Sequence, residues 1–148
     1  MKKQTLLILL ISIFISSCTF NSSYVDRDVD RQEAERVTVK FFYLLRDKKF
    51  NETHSLFSPR FLEVTNKEKI NQIFQTSEVR LGSIKDQILE SWNTNIVKGT
   101  NSKSEYLLVY KVKRTKFDSK ETIRLEKEND TIKILYYNIE SEGLLNNK

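Results

Sequence analysis

Hydrophobic residues change their spacing twice along this chain, and the two changes divide it into three parts. Behind Lys2-Lys3, an apolar run from Leu6 to Ile15, interrupted only by Ser12, ends in Ser16-Ser17-Cys18. It has about half the ~20 residues that a membrane-spanning helix needs. From Asp30 the period becomes helical: Ala34, Val37, Phe41, Leu44 and Leu45 fall on one stripe, which predicts a helix from Asp30 to Lys48 capped by Asp30. Phe42 and Tyr43 widen that stripe, as suits a helix lying across a sheet. A short helix is predicted over Asn51–Phe57, ended by Ser58-Pro59, with Phe61 and Leu62 returning to the core. Thr65 and Glu68 have capping-box spacing before a third helix that reaches Arg80, carries Ile70, Ile73, Phe74 and Leu81 on one side, and stops at Gly82.

From Ile84 the period is two. Strands are predicted over Ile84–Val97, Glu105–Phe117, residues 121–128 and Thr131–Ile139. Tyr106, Leu108, Tyr110 and Val112 share a face, as do Ile123 and Leu125, and Ile132, Ile134 and Tyr136. The same alternation puts Asp86, Ile88, Glu90 and Trp92 together unless a bulge intervenes. Turns are expected at Lys98–Ser102 and at Glu128-Asn129-Asp130. Helices first and antiparallel strands afterwards make an α+β domain, residues 30–140, followed by a tail, 141–148.

That order, the helix-to-strand step Leu81-Gly82-Ser83-Ile84, and the pair around Asn129-Asp130-Thr131-Ile132-Lys133-Ile134 resemble the nuclear transport factor 2-like (cystatin-like) cone. The likeness runs over Arg31–Ile139 and is closest to small bacterial families of unassigned activity, many of them lipoproteins. It implies N-terminal helices packed on a strongly curved antiparallel sheet, a pocket at the open end, and dimers through the outer sheet face. Lys2-Lys3, the apolar run and Ile15-Ser16-Ser17-Cys18 look like a bacterial lipoprotein signal with its lipobox. The resemblance implies cleavage after residue 17 and a diacylglycerol thioether on Cys18. Residues 18–29 then form a lipidated cysteine and a polar spacer. The protein would be anchored in the cell envelope. In a Gram-negative cell, Thr19 rather than Asp after the cysteine leans towards the outer membrane, on its periplasmic side or surface.

Composition narrows the rest. Without residues 1–17 the chain keeps 131 residues, enough for one real core. The 25 basic residues fall to 23 against 20 acidic ones. That near balance is no nucleic-acid footprint. Cys18 is the sole cysteine, so the domain has no internal disulfide to rely on. One histidine and one cysteine cannot make a zinc set, and the three glycines form no phosphate loop, so no metal or cofactor is expected.

The chemistry-bearing candidates are few. His54 on the short helix is a weak candidate base, since nothing nearby in sequence orients it. Asp86, placed beside Trp92 by strand parity, is the other weak acid–base candidate, read more readily as a solvated strand carboxylate. Lys111, Lys113, Arg114 and Lys116 read as a solvated strand end that blunts edge pairing. Tyr43, Trp92, Tyr106, Tyr110 and Tyr136 are candidate ligand-binding aromatics of a concave interior, against the plainer reading that they fill the core. The favoured function is a non-enzymatic binding or interaction module at the envelope, with a homodimer or an envelope protein as partner. A protein that captures a small apolar ligand comes second. An isomerase- or hydrolase-like enzyme using Asp86 or His54 comes third.

Overall fold

The computed structural model describes residues 21–145; the signal segment and Cys18 lie outside them. Its elements are β1 (Ser22–Val25), α1 (Asp28–Arg46), α2 (Phe50–Thr53), α3 (Pro59–Val64), α4 (Lys67–Leu81), β2 (Ile84–Lys98), β3 (Lys103–Arg114), β4 (Ser119–Glu128), β5 (Thr131–Glu140) and α5 (Glu142–Leu145). A 3-10 turn, His54–Leu56, follows α2. The five strands form one open antiparallel sheet in chain order. The fold is α+β, as the change of period predicts.

Helix α1 packs against β2, β3 and β5. Its stripe of Ala34, Phe41, Phe42, Leu44 and Leu45 is buried with Tyr106, Leu108, Tyr110 and Val112 of β3, Ile123 and Leu125 of β4, and Ile134 of β5. Helix α4 adds Ile70 and Phe74. It stops at Gly82, whose φ of +82° is open to glycine at little cost. A Cβ there would also sit 1.9 Å from Thr115 Oγ1. Among the described residues no helix is long and apolar enough to cross a membrane.

Four expectations change. The segment read as spacer contains β1, whose Ser22 pairs with Lys98 and Val25 with Asn95. Ser22-Ser23-Tyr24-Val25 is too short to show a readable alternation, so an edge strand of that length is invisible until its partner is in place. Helix α1 begins at Asp28 rather than being capped by Asp30. Asp30 instead pairs with Arg27, Oδ2 to Nε at 2.6 Å. Pro59 opens α3 instead of only ending what precedes it, because its missing N–H and fixed φ suit a first helical position. Ser58 caps it, Oγ accepting from Arg60 N–H at 3.2 Å. Asn66, not Thr65, caps α4, accepting from Lys69 N–H at 2.8 Å.

Two register shifts have the largest consequence for the site. Between Leu89 and Ser91, Glu90 is an extra residue on β2. It puts Leu89 and Trp92 on the core side and leaves Asp86 and Ile88 exposed. On β5, Leu135 is extra: Ile134 faces Leu125 and Tyr136 faces Arg124. Tyr137, not Tyr136, therefore continues the inward row. Asn129 and Asp130, at φ +46° and +62°, make the tight two-residue turn expected there. The exposed edge of β5 is partly covered where Phe57 bridges Ile134 and Ser58 N–H donates to Ile134 O at 2.8 Å. The tail is not free either. Gly143 is buried so closely on Leu81 and Phe117 that a Cβ would lie within 2.7 Å of each.

Candidate functional site

The interior is filled with rings. Phe41 meets Phe42, Phe57, Phe74 and Tyr137 with centroids 5.0 to 5.8 Å apart at steep angles. Phe42 meets Tyr110 edge-on at 5.0 Å. Such tilted contacts satisfy the ring quadrupoles and leave little space. A void of about 10 Å³ beside Phe74, Arg114 and Tyr137 has room for one water at most.

Beneath that aromatic layer lies a buried polar cluster that the sequence reading missed. Glu121 is wholly buried. Its Oε1 accepts from Arg114 Nη2 at 2.6 Å and from Ser119 Oγ at 2.8 Å, and its Oε2 from the Tyr137 hydroxyl at 2.6 Å. Arg114 further donates to Ser119 Oγ and to Gly82 O. Arg114 is thus 7% exposed, which corrects its placement on a solvated strand end. β3 is also a central strand, not an edge. Parity held the signal: Arg114 continues the inward row of Tyr110 and Val112, and Glu121 that of Ile123. Every strong acceptor and donor here is engaged, so the cluster ties the end of α4 to the sheet.

The buried tyrosines make the domain sensitive to alkali. Burial pushes the Tyr110 hydroxyl up to about 12, against a downward pull from its hydrogen bond with Thr38 at 2.6 Å. Burial, then the Glu121 charge, raise Tyr137 well above the ordinary tyrosine value. Both values are raised in the folded state, so their stabilising contribution is full below pH ~10 and lost as pH rises towards the folded values. For Tyr110 alone that is about 3 kcal/mol between pH 10 and 12. Chemical denaturation at pH 8, 10 and 11 should show stability falling, and Tyr110→Phe should flatten the fall.

The candidate acid–base residues stand apart. Asp86 is exposed on the outer sheet face, opposite Lys113, with Oδ1 accepting from Gln87 N–H at 2.9 Å. The Glu90 bulge separates it from Trp92, which corrects the shared face expected for the two. His54 is half-buried in its 3-10 turn, and Nε2 lies 3.0 Å from the amide oxygen of Asn71, which Asn51 orients in turn. The partner that holds the ring is an amide, not the carboxylate that orients the histidine of a catalytic triad.

The five aromatic candidates are not brought together. Tyr106 and Tyr110 are buried at 3% exposure, Trp92 is half-buried under the Arg31 guanidinium, and Tyr43 and Tyr136 face outward. The outer sheet face expected to dimerise is interrupted by polar residues. Asn93 and Arg124 flank Leu107, while Ser91 and Thr122 flank Val109.

An open cleft of about 500 Å³ lies elsewhere, between the start of α1 and the strand ends at the β2–β3 and β4–β5 turns. Tyr106 and Ile96 form its apolar floor; Arg27, Asp30, Glu33, Lys98, Lys103 and Lys127 ring it with both signs of charge. Asp30 is held by Arg27, and Lys103 by Glu105 at 2.8 Å. Sequence reading could not assemble this cleft, because its walls come from elements far apart in the chain. Compared with known proteins, the chain matches no family model, no curated protein and no solved structure.

Proposed function

We propose that the chain is a lipid-anchored binding module of a bacterial cell envelope, held by Cys18 and working through recognition rather than catalysis. The observation that carries this reading is the open, two-signed cleft beneath the start of α1. A small pocket with convergent polar groups is the usual place for a ligand or a partner side chain. The finer fold assignment, a nuclear transport factor 2-like cone, draws support from a 19-residue helix lying across a bulged antiparallel meander. A small apolar ligand in the aromatic interior is less favoured, since those rings touch one another.

Two measurements test the proposal. Full-length protein should sediment with membranes and incorporate a fatty-acid analogue. Cys18→Ser should abolish both, because a single thioether anchor is then missing; a variant that still sediments would overturn the anchor. Native mass spectrometry of the soluble Thr19–Lys148 chain, alone and with Glu33→Lys, tests the cleft. A bound mass that Glu33→Lys removes supports recognition there. A bound mass that it leaves intact moves the site elsewhere.

A further inference from the structure

Resting on the lipid anchor proposed above, a short count shows which end of the domain lies near its membrane. Ser22 is four residues beyond Cys18, so even a fully extended chain lets them stand no more than about 14 Å apart. Ser22 is not loose: it pairs with Lys98, at the mouth of the β2–β3 turn. Paired strands are ~5 Å apart, which brings Lys98 within about 19 Å of the lipidated atom's residue. The far end of β3, at Arg114, is eleven residue steps from Lys103, about 36 Å along the strand. The tether therefore keeps this end of the sheet near the bilayer, and the far end is the one free to stand away from it.

The chemistry of the near end fits a lipid surface. Lys98-Gly99-Thr100-Asn101-Ser102-Lys103 carries two lysines and no acid, and Lys98 and Lys103 are exposed. Of the acids near that end, Asp30 is held by Arg27, Glu105 by Lys103, Glu126 by Arg60 and Glu128 by Ser58 Oγ, while Glu33 and Asp130 line the adjoining cleft. Lys98 has Tyr24 as a ring partner at 5.6 Å and no carboxylate within bonding distance among the described residues. We infer that the Lys98–Lys103 hairpin is the membrane-facing tip of the domain, with its lysines resting on anionic lipid headgroups. The cleft shares Lys98, Ser102 and Lys103 with this tip. It then opens beside the membrane, and what enters it does so at the bilayer surface.

The sole cysteine makes the test clean, because a lipidated Cys18 cannot take a thiol probe. Thr100→Cys and Lys116→Cys are each labelled with a fluorophore in the full-length, lipidated protein, in vesicles bearing a headgroup-linked nitroxide quencher. The vesicles are neutral, or about one third phosphatidylglycerol. The expected result is strong quenching at Thr100, more in anionic vesicles, and little at Lys116. Lys98→Gln and Lys103→Gln should lower the anionic-over-neutral preference about fivefold each, and so should raised salt. Quenching equal at both sites, or greater at Lys116, overturns the orientation. Quenching at Thr100 that ignores lipid charge and both lysines overturns the headgroup contact. Shielding that persists in detergent assigns the tip to a protein partner and overturns both. A failed anchor looks different: the protein does not float with vesicles, and Thr100→Cys takes two probes instead of one.

Discussion

Replacing Glu121 by alanine is expected to cost about 3–5 kcal/mol, because it leaves the Arg114 guanidinium buried without its counter-charge. The carboxylate is wholly enclosed and accepts three hydrogen bonds, two from hydroxyls and one from Arg114. Without it, the Arg114 fork keeps only Ser119 Oγ at 3.2 Å and Gly82 O at 3.3 Å, and the Tyr137 hydroxyl has lost its acceptor. A domain of this size has a total stability of about 5–15 kcal/mol, so the variant would sit near its folding threshold. Guanidinium titration is the measurement: the midpoint should move by on the order of 1 M with the slope unchanged. The pair's net worth is a separate quantity. Arg114→Met with Glu121→Leu removes both charges and restores volume, and it should cost much less than the sum of the single changes. A single Glu121→Ala loss below about 1 kcal/mol would mean that water reaches Arg114, contrary to its 3% side-chain exposure.

That cluster also marks the limit of what alternation reveals. The regular stretches were legible: α1 and α4 from their apolar stripes, Gly82 as a stop, the inward row Tyr106–Val112, and the Asn129-Asp130 turn. Each depends on local preference and burial together, so pattern and structure agree. Parity failed where one residue was inserted. Glu90 and Leu135 each reverse the side on which everything beyond them lies, moving Asp86 away from Trp92 and exchanging Tyr136 for Tyr137. Neither residue is a glycine, so neither has the composition that warns of a bulge. Charge misled in a second way. Arg114 sits among Lys111, Lys113 and Lys116, and only its parity with Val112 distinguishes it from those solvated neighbours. β1 and the cleft depend on pairing between distant segments, which no local window contains.

Replacing Phe41 by alanine is the second large loss expected, again about 3–5 kcal/mol, and it bears directly on whether the interior is a core or a pocket. Phe41 is fully buried at the centre of the aromatic layer, with Phe42, Phe57, Phe74 and Tyr137 around it. Its removal deletes transfer free energy and several edge-to-face contacts, each worth about 0.5–1.5 kcal/mol. Neighbours on α1, α4, β5 and the Phe57 bridge cannot all collapse into the space, so part of it stays as a cavity. An apolar cavity of that kind stays dry and takes up benzene or xenon. The native chain, with about 10 Å³ free beside Phe74, should bind neither, whereas Phe41→Ala should bind both and regain part of its stability in their presence. Calorimetry and denaturation with and without benzene read the two effects. If the native chain bound benzene and Phe41→Ala cost under 1 kcal/mol, the rings would line a space rather than fill one. Apolar capture would then displace the charged cleft as the basis of function. A filled interior leaves recognition to the surface, where the cleft beside the Lys98–Lys103 tip combines both signs of charge with an apolar floor.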